Sequence, residues 1–190
     1  MFDWLFGKKE LPEIENESRD LLVNKYSYQL DLSKKGKTLF QHLHITRAEG
    51  FNDFTILTQT WHESGRYEKV IGNFNYWGIK KPKNWEGEVI KVRTHEYDSE
   101  GKKVPVFDDF IDFKDCSSAV IWWISLIQRL YKGAYQHRDN PELFFDGLIK
   151  GGEIDSEFSY ATDPIYVSKL TNLYLELKQN DLIKKLLEVV

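Results

Sequence analysis

Glu63 is the residue whose place in the sequence most directly suggests chemistry. It ends a largely apolar helical pattern that begins at a cap formed by Asn52 and Asp53, and Ser64-Gly65 follows it as a helix stop. A carboxyl group at the rim of a packed body is partly desolvated, which raises its pKa and keeps it protonated near neutral pH. Such a group can act as general acid in glycosidic cleavage, and a solvated terminal carboxylate is the alternative interpretation.

The alternation of side chains along a predicted strand, called parity below, points to a second candidate catalytic carboxylate. The sequence predicts a strand over Val89 to Tyr97, a turn over 98–101 and a hairpin partner over Lys102 to Phe107. Glu96 continues the apolar face of the first strand, where an acid is costly unless it is paired, hydrated in a cleft or used. Two carboxylates facing one cleft are what glycoside hydrolysis needs, so we pair Glu96 with Glu63. The alternative is that Glu96 emerges into solvent near the end of the strand.

An aromatic segment lies between the two acids. Its candidate substrate-binding residues are Asn75, Tyr76, Trp77 and Trp85. Aromatic rings stack on the apolar faces of pyranose rings, and amide side chains bond hydroxyl or acetamido groups. Packing in the core is the alternative role for the same cluster.

The elements that must position these residues are mostly helical. Helices are predicted over Lys37 to Glu49, from Asn52/Asp53 to Ser64-Gly65, over Cys116 to Tyr131, from Asn140-Pro141 to Gly151-Gly152, from Asp163-Pro164 onward and from Asp181 onward. A helical body interrupted by one small hairpin is an α+β arrangement. The cleft between body and hairpin is the natural place for a site.

Composition excludes several classes of function. The 26 basic and 30 acidic residues are dispersed, with no basic run that could follow a phosphate backbone, so nucleic acid is not an expected partner. Cys116 is the only cysteine, which excludes an intrachain disulfide. No metal site is expected, because His42-x-His44 lacks a third ligand. The aspartates are interpreted as a solvated, helix-capping run; they are Asp108, Asp109, Asp112 and Asp115.

The amino terminus differs in character from the rest of the chain. Residues 1–30 are predicted to be an N-terminal segment and linker, and residues 31–190 the domain. Met1 to Phe6 is apolar, but its basic pair follows it, the reverse of a secretory signal, and the stretch is too short to span a bilayer. We therefore expect synthesis in the cytoplasm without a signal peptide.

Five short motifs, in order along the chain, resemble glycoside hydrolase family 73, the glucosaminidase domains of bacterial autolysins, flagellar rod-assembly hydrolases and phage lysins. They are W-H-E-S-G at 61–65, N-Y-W-G-I-K at 75–80, W-E-G at 85–87, T-H-E-Y at 94–97 and Y-A-T-D-P-I-Y at 160–166. The resemblance covers about residues 37–178, and the last motif is the most specific. The sequence departs from the usual family pattern at two places. Arg66-Tyr67 follows the first motif, and the second motif contains the bulky Tyr76-Trp77 pair.

The resemblance implies a lysozyme-like fold and cleavage of peptidoglycan at the bond from N-acetylglucosamine to N-acetylmuramic acid, without metal or organic cofactor. By motif position Glu63 matches the general acid and Glu96 the second acid, as base for a water or partner in a substrate-assisted route. Tyr160 matches a tyrosine that lines the cleft near the acid and is grouped with the catalytic residues. Tyr166, from the same motif, joins the candidate substrate-binding residues.

Two alternatives keep the same scaffold. One is a catalytically weak or inactive peptidoglycan-binding component of a phage or secretion apparatus. The other is a muramidase or lytic transglycosylase. If the substrate is the wall, the expected cytoplasmic synthesis requires release by lysis or non-classical delivery to the periplasm or wall, with a delivery apparatus or an immunity protein as candidate partners.

Overall fold

The computed structural model describes residues 36–97, 100–150, 160–161 and 163–189. Within them the elements in chain order are α1 (Gly36–Ala48), α2 (Asp53–Ser64), β1 (Val89–Tyr97), β2 (Lys103–Ile111), α3 (Cys116–Leu130), α4 (Lys132–Gln136), α5 (Pro141–Lys150), α6 (Tyr166–Gln179) and α7 (Asp181–Val189). In this part of the chain the helices are accompanied by a single two-stranded antiparallel hairpin. The predicted α+β organisation is confirmed.

Helix α2 has the boundaries that its terminal residues dictate. The Asn52 side chain accepts a hydrogen bond from the Phe54 amide at 2.9 Å, which satisfies one of the free donors of the first turn. Gly65 ends the helix in the left-handed conformation with φ of 54°, and its amide bonds the Trp61 carbonyl. Glu63 therefore lies in the last turn, as the sequence predicts.

The hairpin follows the predicted parity, but its second strand is longer than predicted. Val92, Thr94 and Glu96 are half-buried, whereas the alternate side chains from Val89 to His95 are exposed. Strand β2 continues to Ile111 because a segment at Ile79 to Lys81 pairs with its second half. The Ile111 amide donates to the Ile79 carbonyl at 3.1 Å, and the Lys81 amide to the Asp109 carbonyl at 2.8 Å.

This extension corrects the interpretation of the aspartate run. Asp108 and Asp109 belong to β2 rather than to a solvated capping segment. Asp115 does cap a helix, since its Oδ1 accepts a hydrogen bond from the Ser118 amide at 2.7 Å at the start of α3. Asp112 instead fixes a loop by accepting from the Asn73 amide at 2.8 Å.

The start of α6 also differs from the sequence prediction. The helix begins at Tyr166, and Ile165 occupies the cap position without a capping side-chain bond. Asp163 lies in the turn before it, where Oδ1 accepts from the Ile165 amide at 3.0 Å and Oδ2 accepts from Lys169 at 2.5 Å. Asp163 thus stabilises the approach to the helix rather than its first turn.

Much of the aromatic content is used for the core. Trp123 is fully buried and stacks on Trp77, with centroids 4.9 Å apart, and Trp77 stacks in turn on His42 at 5.2 Å. Helix α2 lies at the centre of the body, in contact with α1, α5 and α6. Since almost every side chain of α2 between Thr55 and Trp61 is buried, the helix is a rigid support for the acid at its end.

Some sequence predictions fall on residues outside the described ones. They are the N-terminal segment and linker over 1–30, the domain start at residue 31, the turn residues 98 and 99, and Gly151-Gly152. Among the helices that the structure does describe, none is both long and apolar enough to cross a membrane.

Candidate active site

The Glu63 side chain is half-buried, and protein atoms surround most of its carboxyl group. Burial raises the pKa of this carboxyl from 4.5 to about 7, against the opposing effect of a hydrogen bond from Tyr166. That bond runs from the Tyr166 hydroxyl to Glu63 Oε1. This raised pKa lets Glu63 hold a proton near neutral pH, the condition that a general acid requires.

Two tyrosines form the wall behind the acid. Tyr160 and Tyr166 stack with centroids 6.0 Å apart, and Tyr131 packs against Tyr160 at 5.3 Å. Burial, followed by the nearby Glu63 charge, raises the pKa of both Tyr160 and Tyr166 well above the ordinary phenol value. Both hydroxyls therefore stay protonated and available as donors.

One cleft of about 470 Å³ lies between the helical body and the hairpin, and both candidate acids line it. Glu63 enters from α2 and Glu96 from β1, with Tyr160 and Tyr131 on the helical side. Glu96 forms an ion pair with Lys80, whose Nζ lies 2.5 Å from Glu96 Oε1. The cleft thus presents a carboxyl poised to donate a proton together with a second carboxylate held by a cation.

The structure brings only part of the predicted substrate-binding set to this cleft. Trp77 lines it, although most of the ring is buried. Asn75 is buried beneath it, with its amide nitrogen donating to the carbonyls of Ile79 and Ile111, each at 2.9 Å, and its oxygen accepting from the Ile79 amide at 2.8 Å. These bonds use the amide for holding backbone, so it is not presented to a ligand.

The other members of that set lie elsewhere. Tyr76 is buried against His42, with ring centroids 4.4 Å apart. Trp85 borders a separate depression of about 410 Å³ together with Phe113. Tyr166 is buried and contacts Glu63 rather than the open cleft. Its place beside the acid makes it a partner of the acid more than a sugar contact.

Sequence reasoning missed several residues of the cleft. They are Lys80, Thr94, Phe110, Trp122, Leu126 and Tyr131. Thr94 and Phe110 follow from the strand parity that selected Glu96, once β2 is extended to Ile111. The position of Trp122 could also be predicted from the sequence. Its neighbour Trp123 belongs to the buried stripe of α3, so Trp122 lies at the edge of that stripe.

The His42-x-His44 pair and Ser64 have their side chains placed away from any shared chemistry in the cleft. His42 is buried and His44 exposed, so the pair does not face one ligand, and burial lowers the pKa of His42 to about 3. Ser64 Oγ donates to the Thr60 carbonyl at 2.6 Å and accepts from the Tyr67 amide at 2.9 Å, which ties it to backbone. Within the described residues, no group of three or more His, Cys, Asp or Glu is placed to hold a metal ion.

A helical body, a small hairpin and two carboxylates at the cleft between them define the class of lysozyme-like glycoside hydrolases. Comparison with known proteins narrows this class. Residues 42–179 match the family model Glucosaminidase, described as mannosyl-glycoprotein endo-beta-N-acetylglucosaminidase, and the chain belongs to this family. The family assignment makes the domain a glycoside hydrolase and confirms the resemblance found in the motifs.

Two curated relatives carry the name peptidoglycan hydrolase FlgJ. The protein of Escherichia coli K12 is 27% identical over 188 residues, which cover 91% of this chain and 58% of that protein. The protein of Vibrio cholerae is 26% identical over 148 residues, 73% of this chain and 41% of that protein. This chain therefore spans about half the length of the curated relatives that it matches.

The fold is shared with solved structures. A peptidoglycan hydrolase mutant from Sphingomonas sp. A1 superimposes with a TM-score of 0.64 at 23% identity, over 80% of this chain and 94% of that one. The glycoside hydrolase domain of Salmonella typhimurium FlgJ, truncated at its C-terminus, gives a TM-score of 0.58 at 24% identity, over 77% and 97%. At these identities the likeness establishes the lysozyme-like fold.

Proposed function

We propose that this chain hydrolyses peptidoglycan at the β-1,4 bond between N-acetylglucosamine and N-acetylmuramic acid, with Glu63 as general acid and Glu96 as second carboxylate. The observation that carries the proposal is that both acids line one cleft, while burial raises the pKa of Glu63 to about 7. Membership of the glucosaminidase family supports the bond type. The names of the curated relatives support peptidoglycan as the substrate.

The chemistry assigns a distinct task to each group. Glu63 donates its proton to the glycosidic oxygen as the C1–O bond breaks, and the leaving sugar departs with a hydroxyl. Glu63 becomes a carboxylate, which the Tyr166 hydroxyl stabilises by the hydrogen bond that it already donates. In one route Glu96 takes a proton from the water that bonds to C1. In the other, Glu96 supports the acetamido group while its oxygen bonds to C1, and water, which gives its proton to the Glu63 carboxylate, then displaces that oxygen from C1.

The cleft walls suit a glycan chain. Trp77, Trp122 and Tyr131 contribute aromatic surface to the cleft, and such surface packs against the apolar faces of pyranose rings. The Tyr160 hydroxyl lies near Glu63, as the charge of that acid acts on the pKa of the phenol. We assign to Tyr160 a hydrogen bond to the acetamido group or a hydroxyl of the sugar that Glu63 protonates.

The test uses purified sacculi and four proteins: wild type, Glu63→Gln, Glu96→Gln and the matched control Glu68→Gln, which alters an exposed acid just after α2. We expect turbidity to fall with wild type and the control, no clearance with Glu63→Gln, and slower clearance with Glu96→Gln. Loss of the general acid should cost on the order of a hundredfold or more in rate. Wild-type protein that sediments with intact sacculi would instead identify a wall-binding component.

The bond cleaved is read from the released fragments by mass spectrometry. A reducing-end N-acetylglucosamine is expected for the proposed glucosaminidase. A reducing-end N-acetylmuramic acid would show a muramidase, and an anhydro-muramic end a lytic transglycosylase. Either of these two products would overturn the proposed specificity while leaving Glu63 as the acid.

A further inference from the structure

Lys80 lies between two carboxylates on the hairpin side of the cleft. Its Nζ is 2.5 Å from Glu96 Oε1 and 2.9 Å from Asp108 Oδ2. Glu96 belongs to β1 and Asp108 to β2, and the strand register places both on the inner face, separated by the Thr94–Val106 pair. A single ammonium therefore bridges the two strands next to the candidate second acid.

The backbone around Lys80 is fixed on both sides. Ile79 is held by the Asn75 side chain and by the Ile111 amide. Lys81 donates its amide to the Asp109 carbonyl at 2.8 Å. Lys80 itself pairs with Phe110 of β2 in a single antiparallel β-bridge. A lysine with a fixed Cα loses less conformational freedom on pairing than one on a mobile loop, so its ion pairs are better defined than those of a typical surface lysine.

Two carboxylates, those of Glu96 and Asp108, lie beside the single ammonium of Lys80. Burial alone would lower the pKa of the Lys80 ammonium, but hydrogen bonds to Glu96 and Asp108 raise it above the ordinary value. One cation thus serves two anions. If Glu96 turns from Lys80 toward a positively charged reaction centre, Asp108 remains as partner for the ammonium, and no uncompensated charge is left at the cleft wall.

We propose that Lys80 is a positioning residue for Glu96 and that Asp108 is its second partner, so that the Lys80–Asp108 pair sets the position of Glu96 in the cleft. This inference rests on the proposed function, in which Glu96 acts on the substrate. Without Lys80, Glu96 loses the cation that holds its carboxylate at the cleft wall. Without Asp108, Lys80 binds Glu96 alone and holds it back from the substrate.

The pH–rate profile of the enzyme depends on all the titratable groups that face this part of the cleft. Glu63, on α2, controls the alkaline limb, since it must be protonated to act. The phenols on the helical side remain neutral over the working range because burial raises their pKa. Among the described residues, the titratable groups that line the cleft or pair with Lys80 are Glu63, Lys80, Glu96, Asp108, Tyr131 and Tyr160. The alkaline limb therefore reports on Glu63.

The experiment measures kcat, KM and the pH–rate profile on soluble peptidoglycan glycan strands for Lys80→Met, Lys80→Arg and Asp108→Asn. The matched control is Lys91→Met, which removes an ion pair on the outer face of the same hairpin, where Nζ lies 3.9 Å from Asp109. Circular dichroism confirms that each variant folds, which is expected because the Lys80 side chain is half exposed.

For Lys80→Met we expect kcat to fall about tenfold, while the alkaline limb, which Glu63 controls, stays in place. Lys80→Arg should restore most of the rate, since it keeps the charge. Asp108→Asn should also lower kcat, because Lys80 then holds Glu96 alone. KM should change little in all three variants, and Lys91→Met should match wild type.

Three negative results are distinguishable. If Glu96→Gln slows the enzyme but Lys80→Met matches wild type in kcat, the positioning role is wrong and the proposed function stands. If Glu96→Gln has wild-type activity, the assignment of Glu96 fails and the role of Lys80 fails with it. Equal losses in Lys80→Met and Lys80→Arg would also overturn the inference.

Discussion

Replacing Glu63 with glutamine should change the stability of the fold by an amount that depends on pH. Burial raises the pKa of the Glu63 carboxyl in the folded protein from 4.5 to about 7. A raised folded-state pKa means that the stability contribution is fully present below the unfolded value and is lost as the pH rises through the folded value. Above about pH 7 the fold thus bears the cost of a desolvated carboxylate.

The size of this cost follows from the two pKa values. The difference between 4.5 and about 7 corresponds to about 3 kcal/mol, because one pKa unit equals about 1.4 kcal/mol. Glutamine keeps nearly the same shape and an acceptor oxygen for Tyr166 but carries no charge. We therefore expect Glu63→Gln to match wild type at about pH 4 and to be more stable by about 3 kcal/mol at about pH 8.

The measurement is the free energy of unfolding from urea titrations of both proteins at the two pH values. Other titrating groups, such as the buried His42, contribute equally to both proteins and cancel in the difference. Glu68→Gln, at an exposed position, serves as the control and should show no comparable change. A Glu63→Gln difference that is the same at both pH values would show that the carboxyl is well solvated, and the argument for a buried general acid would fail.

Three further predictions concern the surroundings of the acid. Tyr166→Phe removes the hydrogen bond that lowers the pKa of Glu63, so the alkaline limb of the pH–activity profile should move up by about one unit, and a limb that stays or moves down would contradict this. Asn75→Ala breaks three buried hydrogen bonds and should lower the free energy of unfolding by about 3 kcal/mol in urea titrations; a loss close to zero would contradict the bracing role. Burial lowers the pKa of His42 from 6.5 to about 3, so wild type loses stability as pH falls below 6.5. His42→Leu should regain about 3 kcal/mol relative to wild type between pH 7 and pH 4, which thermal unfolding at the two pH values checks.

The sequence predicts the position of the acid well because local chemistry determines it. Asn52 and Gly65 define the ends of α2, and each does so through a hydrogen bond to a residue only two to four positions away. The parity that selects Glu96 is equally local, since successive side chains on a strand point to opposite faces. The α+β arrangement follows from the same local patterns.

The role of the aromatic segment could not be predicted in the same way. Asn75 and Trp77 are polar and aromatic residues between two acids, which fits a sugar-binding loop and a core segment equally well. The outcome depends on contacts distant in sequence: Asn75 holds the backbone of Ile111, and Trp77 stacks on Trp123. The same applies to Lys80, because its partner Asp108 lies on a strand whose predicted end fell short of that residue.

The end of α2 shows how local backbone geometry and acid chemistry act together. Gly65, Arg66 and Tyr67 adopt positive φ values of 54°, 61° and 66°, a run that non-glycine residues avoid. The fully buried Tyr67 ring and the Arg66 guanidinium, which lies 5.2 Å from the centroid of the Trp61 ring, offset this strain. The sharp stop leaves Glu63 in the last turn, where the negative end of the helix dipole also disfavours its charged form. The dipole and burial therefore act in the same direction on Glu63, and the dipole acts on it because the helix ends at Ser64, one residue after the acid.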